Sequence, residues 1–284
     1  MVRNGFVQES AELLEQERVS ARYFRLRLRS RRVARLARPG QFVMLSCRPE
    51  GEAAWDPLLP RPLAVLDAAS RSGEIQLLYY VAGRGTELLR RAADERAPHT
   101  RFTILGPQGR GFEAVEGVEA HVGIGGGSGL APLAFFFRRL RGGRAERRLI
   151  VGARRREDLP PRAVFAARGV RIHWATEDGD AGFRGTAAAL LDRLLARELR
   201  GRRAALYASG PEPMLRAVAA TARRLGLPCR VSLEARMACG VGVCRGCVVA
   251  ARTPHPLHRL CWRTVCQDGP VFDPCELTGW DETE

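Results

Sequence analysis

A β-barrel followed by an α/β domain and a short metal-binding tail is the fold class the sequence predicts, and three observations predict it. Short alternating runs fill residues 21–110, strand-like and helix-like segments take turns after about Glu119, and every cysteine but Cys47 lies at or beyond Cys229. The expected division is a six-stranded antiparallel barrel domain over residues 1–115, a parallel-sheet α/β domain over 116–232, and a small cysteine-bearing segment over 233–284. With 284 residues, 45% hydrophobic and 27% charged, the chain can bury two cores and carry such an appendage.

In the first part, Phe24, Leu26 and Leu28 alternate with Arg25, Arg27 and Arg29, which gives one dry and one wet face, an antiparallel signature. Residues 41–46, 64–67, 75–82 and 102–105 are further strand candidates with turn residues between them, a spacing that fits a six-stranded barrel. Cys47 reads as a small buried apolar residue. In the second part, strands are expected at 120–124, 148–152, 170–175 and 204–208. Helices are expected at 130–140, 186–199 and 211–225. Parallel strands need crossover connections, so this alternation predicts a parallel sheet covered by helices. The tail from about Glu234 is too rich in Cys, Gly and Pro to form a core without a metal.

Composition narrows the classes of function. The net charge of +15 comes from 46 cationic residues that are all Arg, spread from Arg3 to Arg263 and not gathered in one basic arm. Anionic nucleotides or an acidic partner protein explain this better than nucleic acid does. The longest strongly apolar stretch, residues 130–137, is far short of the roughly 20 residues a membrane span needs. Glu9, Glu12, Glu15 and Glu17 stand where a signal peptide would be apolar. A cytoplasmic protein without membrane contact is expected.

The strongest motif is Cys239-x4-Cys244-x2-Cys247, with Cys266 following 19 residues on. Reduced thiols clustered in a cytosolic chain point to metal before disulfides, and this spacing is that of plant-type 2Fe-2S proteins. Gly240, Gly242 and Gly246 let the backbone curl and aim amides at sulfur. On spacing alone, Cys261 and Cys275 compete with Cys266 for the fourth position. A structural zinc site is the bland alternative. A zinc-containing nucleic-acid-binding protein is the rival of another class, and it leaves the nucleotide motifs described next without a role.

Arg61-Pro62-Leu63-Ala64 places a planar cation at the start of a strand, suited to gripping a flavin phosphate while the following backbone meets the ring. Leu78-Tyr79-Tyr80 leads to Gly85-Thr86, which open a helix whose free amides can bind a pyrophosphate. Together these residues point to a flavin held in the barrel. Between a strand and a helix lies the run Gly125, Gly126, Gly127, Ser128, Gly129. Ser128 breaks the strict Gly-x-Gly-x-x-Gly fingerprint, yet the run still presents amides to an anionic nucleotide. A second strand-to-helix edge, Ser209-Gly210-Pro211, is expected to converge on it near a nicotinamide. The five histidines, His255 and His258 among them, form no catalytic constellation, so no residue of the chain is expected to be catalytic and the chemistry comes from cofactors.

Taken together these motifs resemble the electron-transfer subunit of class 1B dihydroorotate dehydrogenases, within the ferredoxin reductase superfamily. The resemblance covers nearly the whole chain. It implies FAD in the barrel, NAD in the central domain, and a cluster held by Cys239, Cys244, Cys247 and Cys266, the last ranked above its rivals by the Asp268-Gly269-Pro270 turn behind it. It also implies a partner, an FMN-containing catalytic subunit that oxidises dihydroorotate in pyrimidine biosynthesis, assembled as two of each chain. Ala64, Ser209 and Tyr80 depart from the family's usual Ser or Thr, Cys and Arg. The small subunit of NADH-dependent ferredoxin:NADP oxidoreductase or of sulfide dehydrogenase is similar throughout, but it carries Asp where this chain has Cys239.

Overall fold

The computed structural model describes residues 6–52, 56–95, 100–140, 143–253 and 260–280; His255 and His258 lie outside them. Strands β1 (Val7–Arg18), β2 (Tyr23–Arg29), β3 (Phe42–Leu45), β4 (Arg61–Ala69), β5 (Glu74–Tyr80) and β6 (Arg101–Gln108) close an antiparallel barrel in the order β1-β2-β5-β4-β3-β6. Helix α1 (Arg31–Leu36) follows β2 and α2 (Arg84–Glu95) follows β5. The inward residues Leu26, Leu28, Val43, Leu45, Val65, Leu77, Phe102 and Ile104 make one apolar core, the outcome of their period-two spacing.

The sequence pattern missed β1. Its acidic residues are the partners of the arginines on β2: Arg27 meets Glu15 at 2.6 Å, Arg29 meets Glu12 at 3.2 Å, and Arg25 meets Glu17. Such half-exposed pairs contribute only about 0.2–1 kcal/mol each, but like charges in those positions would repel, so they help to set the register.

The second sheet contains β7 (Ala120–Gly126), β8 (Glu146–Ala153), β9 (Val170–Thr176), β10 (Phe183–Arg184), β11 (Ala204–Ser209) and β12 (Cys229–Ser232), all parallel. Helices α3 (Leu130–Arg139), α4 (Arg162–Phe165), α5 (Ala187–Arg197) and α6 (Glu212–Arg224) make the crossovers. Thr186 caps α5, its hydroxyl accepting from the Ala189 amide at 3.1 Å. Helix α3 is buried from Leu130 through Phe137 because it is wedged between the two halves. Phe135 enters the barrel core, while Phe136 and Phe137 pack with Leu149 and Tyr207 of the sheet.

The tail does form ordered structure. Strands β13 (Val248–Arg252) and β14 (Leu260–Thr264) pair as an antiparallel ribbon, and β15 (Val271–Phe272) adds an antiparallel edge to β12 of the central sheet. The tail also grips the barrel and the segment leaving β12. The Arg110 amide, just past β6, donates to the Gly269 carbonyl at 2.5 Å, and the Leu233 amide, just past β12, to the Pro270 carbonyl at 2.9 Å. Gly109 is required at this crossing: its φ is +79°, and a Cβ would lie 2.5 Å from the Gly269 oxygen. Phe42, Met44 and Leu105 on the outside of the barrel share one apolar cluster with Cys247, Val265, Cys266 and Phe272. Among the described residues no helix is long and apolar enough to cross a membrane.

Candidate functional site

A cavity of about 290 Å³ opens where the three parts of the chain meet. The barrel supplies Arg61, Pro62, Leu63, Ala64, Leu78, Tyr79, Tyr80 and Thr86, the central sheet supplies Ser128, Gly129 and Ser209, and the start of the tail supplies Glu234, Ala235 and Met237. Residues more than 170 positions apart thus converge on one space.

At the barrel end, the Arg61 guanidinium lies over the start of α2. A Cβ on Gly85 would fall 2.5 Å from Arg61 Nη2, so the absent side chain is the space the cation fills. Thr86 organises the same turn, its hydroxyl oxygen accepting from the Ala82 amide at 2.9 Å and the Gly83 amide at 3.2 Å. A fixed cation beside the first amides of a helix is a cradle for an anionic phosphate. Of the two tyrosines, Tyr79 turns into the barrel, stacked on Phe24 at 5.6 Å and donating to Gln16. Tyr80 faces outward, edge-on to Tyr23 at 6.0 Å and beneath the Arg22 guanidinium at 4.9 Å.

The glycine run divides by role. Gly125 is a packing residue, because a Cβ there would meet Leu130 Cδ2 at 2.6 Å; Gly127 turns the chain with φ +60°. Gly126 and Gly210 belong to facing turns, and a Cβ on Gly210 would lie 3.0 Å from the Gly126 oxygen. Pro211 caps α6 beside them. Gly129 and Ser209 reach the cavity wall, whereas Gly125, Gly126, Gly127, Gly210 and Pro211 build the paired turns behind it. The convergence comes from β7 and β11 being neighbours, with Gly125 opposite Ser209, and strand ends of this kind are where open α/β sheets bind ligands.

Nothing in the sequence pattern marks residues 232–237 as a wall. Glu234 stands on the cavity wall with much of its surface still exposed, and desolvation on the protein side raises its carboxyl above the ordinary carboxylate range. Tyr23, whose hydroxyl is itself raised by burial, feels its charge.

The thiols are grouped two and two. Cys239 and Cys244 lie together toward solvent, the Cys239 sulfur accepting from the amides of Val241 and Cys244, both at 3.4 Å. Burial works against ionisation there, but these amides bring the Cys239 thiol down to about 7. Cys247 and Cys266 form the inner pair, 4% and 0% exposed against the barrel. Burial, together with the neighbouring Cys247, pushes the Cys266 thiol up to about 12, against the opposing hydrogen bond from the Gly242 amide. Cys261 sits on β14 with its sulfur toward the Arg252 carbonyl, and Cys275 is exposed beyond Asp273. Among the described residues no three Cys, His, Asp or Glu side chains group as a single-ion site.

A barrel with a phosphate cradle, a parallel sheet with paired nucleotide turns, and a four-thiol loop lodged against the barrel define a pyridine-nucleotide-linked reductase of the ferredoxin reductase type. Solved structures agree. The chain matches one from the NADH-dependent reduced ferredoxin-NADP oxidoreductase structure with a TM-score of 0.77 and 27% identity, covering 95% of this chain and 90% of that one. The ferredoxin reductase in carbazole 1,9a-dioxygenase shares the fold, with a TM-score of 0.59 and 23% identity over 78% of this chain and 67% of that one. Residues 234–278 match the iron-sulfur cluster binding domain of dihydroorotate dehydrogenase B. Over 272 residues the chain is 35% identical to the dihydroorotate dehydrogenase B (NAD(+)), electron transfer subunit, of Bacillus caldolyticus, covering 95% of this chain and 98% of that one. It is 34% identical over 251 residues to the same subunit of Desulforamulus reducens, covering 88% and 89%. The chain belongs to this family of dihydroorotate dehydrogenase B electron transfer subunits, and it is an oxidoreductase subunit.

Proposed function

We propose that the chain carries electrons from dihydroorotate, oxidised in an FMN-containing partner subunit, to NAD by way of a 2Fe-2S cluster and FAD. The observation that carries this reading is the single cavity walled by the phosphate cradle, the nucleotide turns and the start of the thiol loop. FAD supplies exchange between two-electron and one-electron chemistry. Arg61, with Gly85 and Thr86, would hold its phosphates, and Pro62, Leu63, Ala64, Leu78 and Tyr80 would border its ring, with Tyr79 fixing the strand. Gly125, Gly126, Gly127, Gly129, Ser209, Gly210 and Pro211 shape the NAD side. The donor chemistry fits a binuclear cluster: four thiols in two pairs, with amides aimed at sulfur, and Cys239, Cys244, Cys247 and Cys266 as ligands. The outer pair lies near the surface beside Val243, 80% exposed, with Trp262 exposed on the adjoining ribbon. This apolar edge suits docking of the catalytic subunit, in an assembly of two of each chain in the cytoplasm.

The isolated protein is expected to reduce artificial dyes with NADH and not to oxidise dihydroorotate. Mixed with the FMN-containing subunit it confers NAD-linked dihydroorotate oxidation. Cys266→Ala loses iron, acid-labile sulfide and this coupling while keeping dye reduction, and Cys261→Ala keeps all of them. Dihydroorotate turnover by the isolated chain, or coupling that survives loss of the cluster, overturns the reading. The likeness to the NADH-dependent reduced ferredoxin-NADP oxidoreductase structure supports a second reading, as the small subunit of such an enzyme. Ferredoxin-linked activity without dihydroorotate coupling would favour it.

A further inference from the structure

The seam between the barrel and the thiol loop contains an amide that the proposed electron path has not used. Gln108, the last residue of β6, is 1% exposed. Its Oε1 accepts from Gln267 Nε2 at 3.0 Å, and Gln267 directly follows Cys266. Its own Nε2 is buried and has no hydrogen-bond partner. Gln108 pairs across the ladder with Phe42, a wall residue of the cavity, but does not itself line that cavity. Gln267 leans into the loop, where a Cβ on Gly242 would lie 2.8 Å from its Cγ, and Gly242 is the residue whose amide is bonded to Cys266. The surroundings are apolar: Phe42, Met44, Leu105, Val265 and Phe272 fill the seam with Cys247 and Cys266.

A buried N–H left without an acceptor costs about 1–3 kcal/mol, so an unmade donor in such a place calls for a missing acceptor. An iron-sulfur cluster brings several: its ligand thiolates and its sulfides. We infer that Gln108 is a positioning residue for the cluster, Gln267 orienting its amide so that Nε2 donates to a sulfur at the inner, Cys247–Cys266 end. This rests on the cluster assignment above. An N–H donor stabilises the sulfur charge that grows on reduction, so the bond holds the potential up. It also ties that potential to the end of the barrel that borders the flavin cavity.

The test is an EPR-monitored redox titration of the purified holoprotein beside Gln108→Leu and Gln267→Leu. Iron and sulfide per chain are measured first. Gln108→Leu is expected to keep its cluster and to show a lower midpoint potential. The reduced-to-oxidised ratio at fixed poise should fall roughly tenfold, equivalent to about 59 mV for a one-electron couple. One exchangeable proton coupled to the reduced cluster, seen by ENDOR against a D2O sample, disappears. Gln267→Leu leaves Nε2 in place but unpinned, and shifts the potential the same way by less. If Gln108→Leu fails to fold, the Gln267→Leu shift and the wild-type proton coupling decide the matter. Unchanged potentials with an unchanged proton spectrum overturn the inference while leaving the cluster assignment standing. Wild-type protein that never takes up iron and sulfide overturns that assignment instead.

Discussion

Gly129→Ala is a sharp test of how the two nucleotide turns are joined. Gly129 has φ −62° and ψ −12°, a conformation open to any residue, and alanine is the better helix former by about 1 kcal/mol in a helix interior. Backbone preference therefore favours the substitution. Space opposes it: the new Cβ would lie 2.3 Å from the Ser209 oxygen, 2.5 Å from the Ser209 carbonyl carbon and 2.6 Å from the Gly210 nitrogen. These are backbone atoms at the end of a central strand and cannot swing aside as a side chain can. Relief needs a shift of about 1 Å between α3 and the β11–α6 turn, within the range where overpacking costs about 1–3 kcal/mol. At about 2–4 °C per kcal/mol, the unfolding midpoint should fall by roughly 2–12 °C. On the proposed placement of NAD against these turns, KM for NADH in dye reduction should rise. Gly126→Ala is the control, since its nearest atom is Pro211 Cδ at 3.4 Å and it should shift the midpoint by less than about 0.5 kcal/mol equivalent. Differential scanning fluorimetry and steady-state kinetics on both variants settle it. Equal tolerance of the two substitutions would refute the steric argument.

Two further outcomes are expected. Arg61→Ala removes the charged half of the phosphate cradle and should weaken FAD binding by about 1.5–3 kcal/mol, roughly 10- to 150-fold; undiminished flavin retention on dilution argues against that role. For Glu234, desolvation raises the folded-state pKa above the ordinary 4.5. The folded state therefore holds this proton more tightly than the unfolded one. Its contribution to stability is fully present below about pH 4.5 and is lost as pH rises through the raised value. Because Glu234 is exposed, solvent screens this effect, so Glu234→Gln should be only slightly the more stable protein at neutral pH, with the gap closing in acid; a gap that widens in acid in denaturant titrations would contradict this.

The architecture and most of the site were legible because they rest on local rules. Alternation at Phe24, Leu26 and Leu28 marks β2, the glycines beside apolar runs mark the turns, and the cysteine spacing marks the loop. What escaped depends on partners far along the chain. In β1, Val7, Ala11 and Leu13 point inward, but a register shift between Leu13 and Glu15 breaks the period, so its glutamates read as a solvated surface. Strand β15 is two residues long and exists because β12 offers it an edge. Glu234 belongs to an irregular segment whose place at the cavity comes from the strands on either side of it. Gln108 stands between Pro107 and Gly109 and reads as a turn residue. Its burial comes from the tail folding back 159 residues later.

That folding back has a mechanical consequence. The tail is bonded to β12 through β15, to the segment after β12 through Pro270, and to the barrel through Gly269, while α3 is packed into both halves. A clamshell motion opening the cavity along the line between barrel and sheet would have to pull α3 out of one half and break either the Arg110–Gly269 bond or the tail's bonds to β12 and the segment after it. Two-domain proteins commonly admit ligands by such a hinge, and here these ties oppose it. On the proposed placement of the nucleotide, the nicotinamide is expected to come and go by local side-chain movement, with little change in the spacing from cavity to thiols.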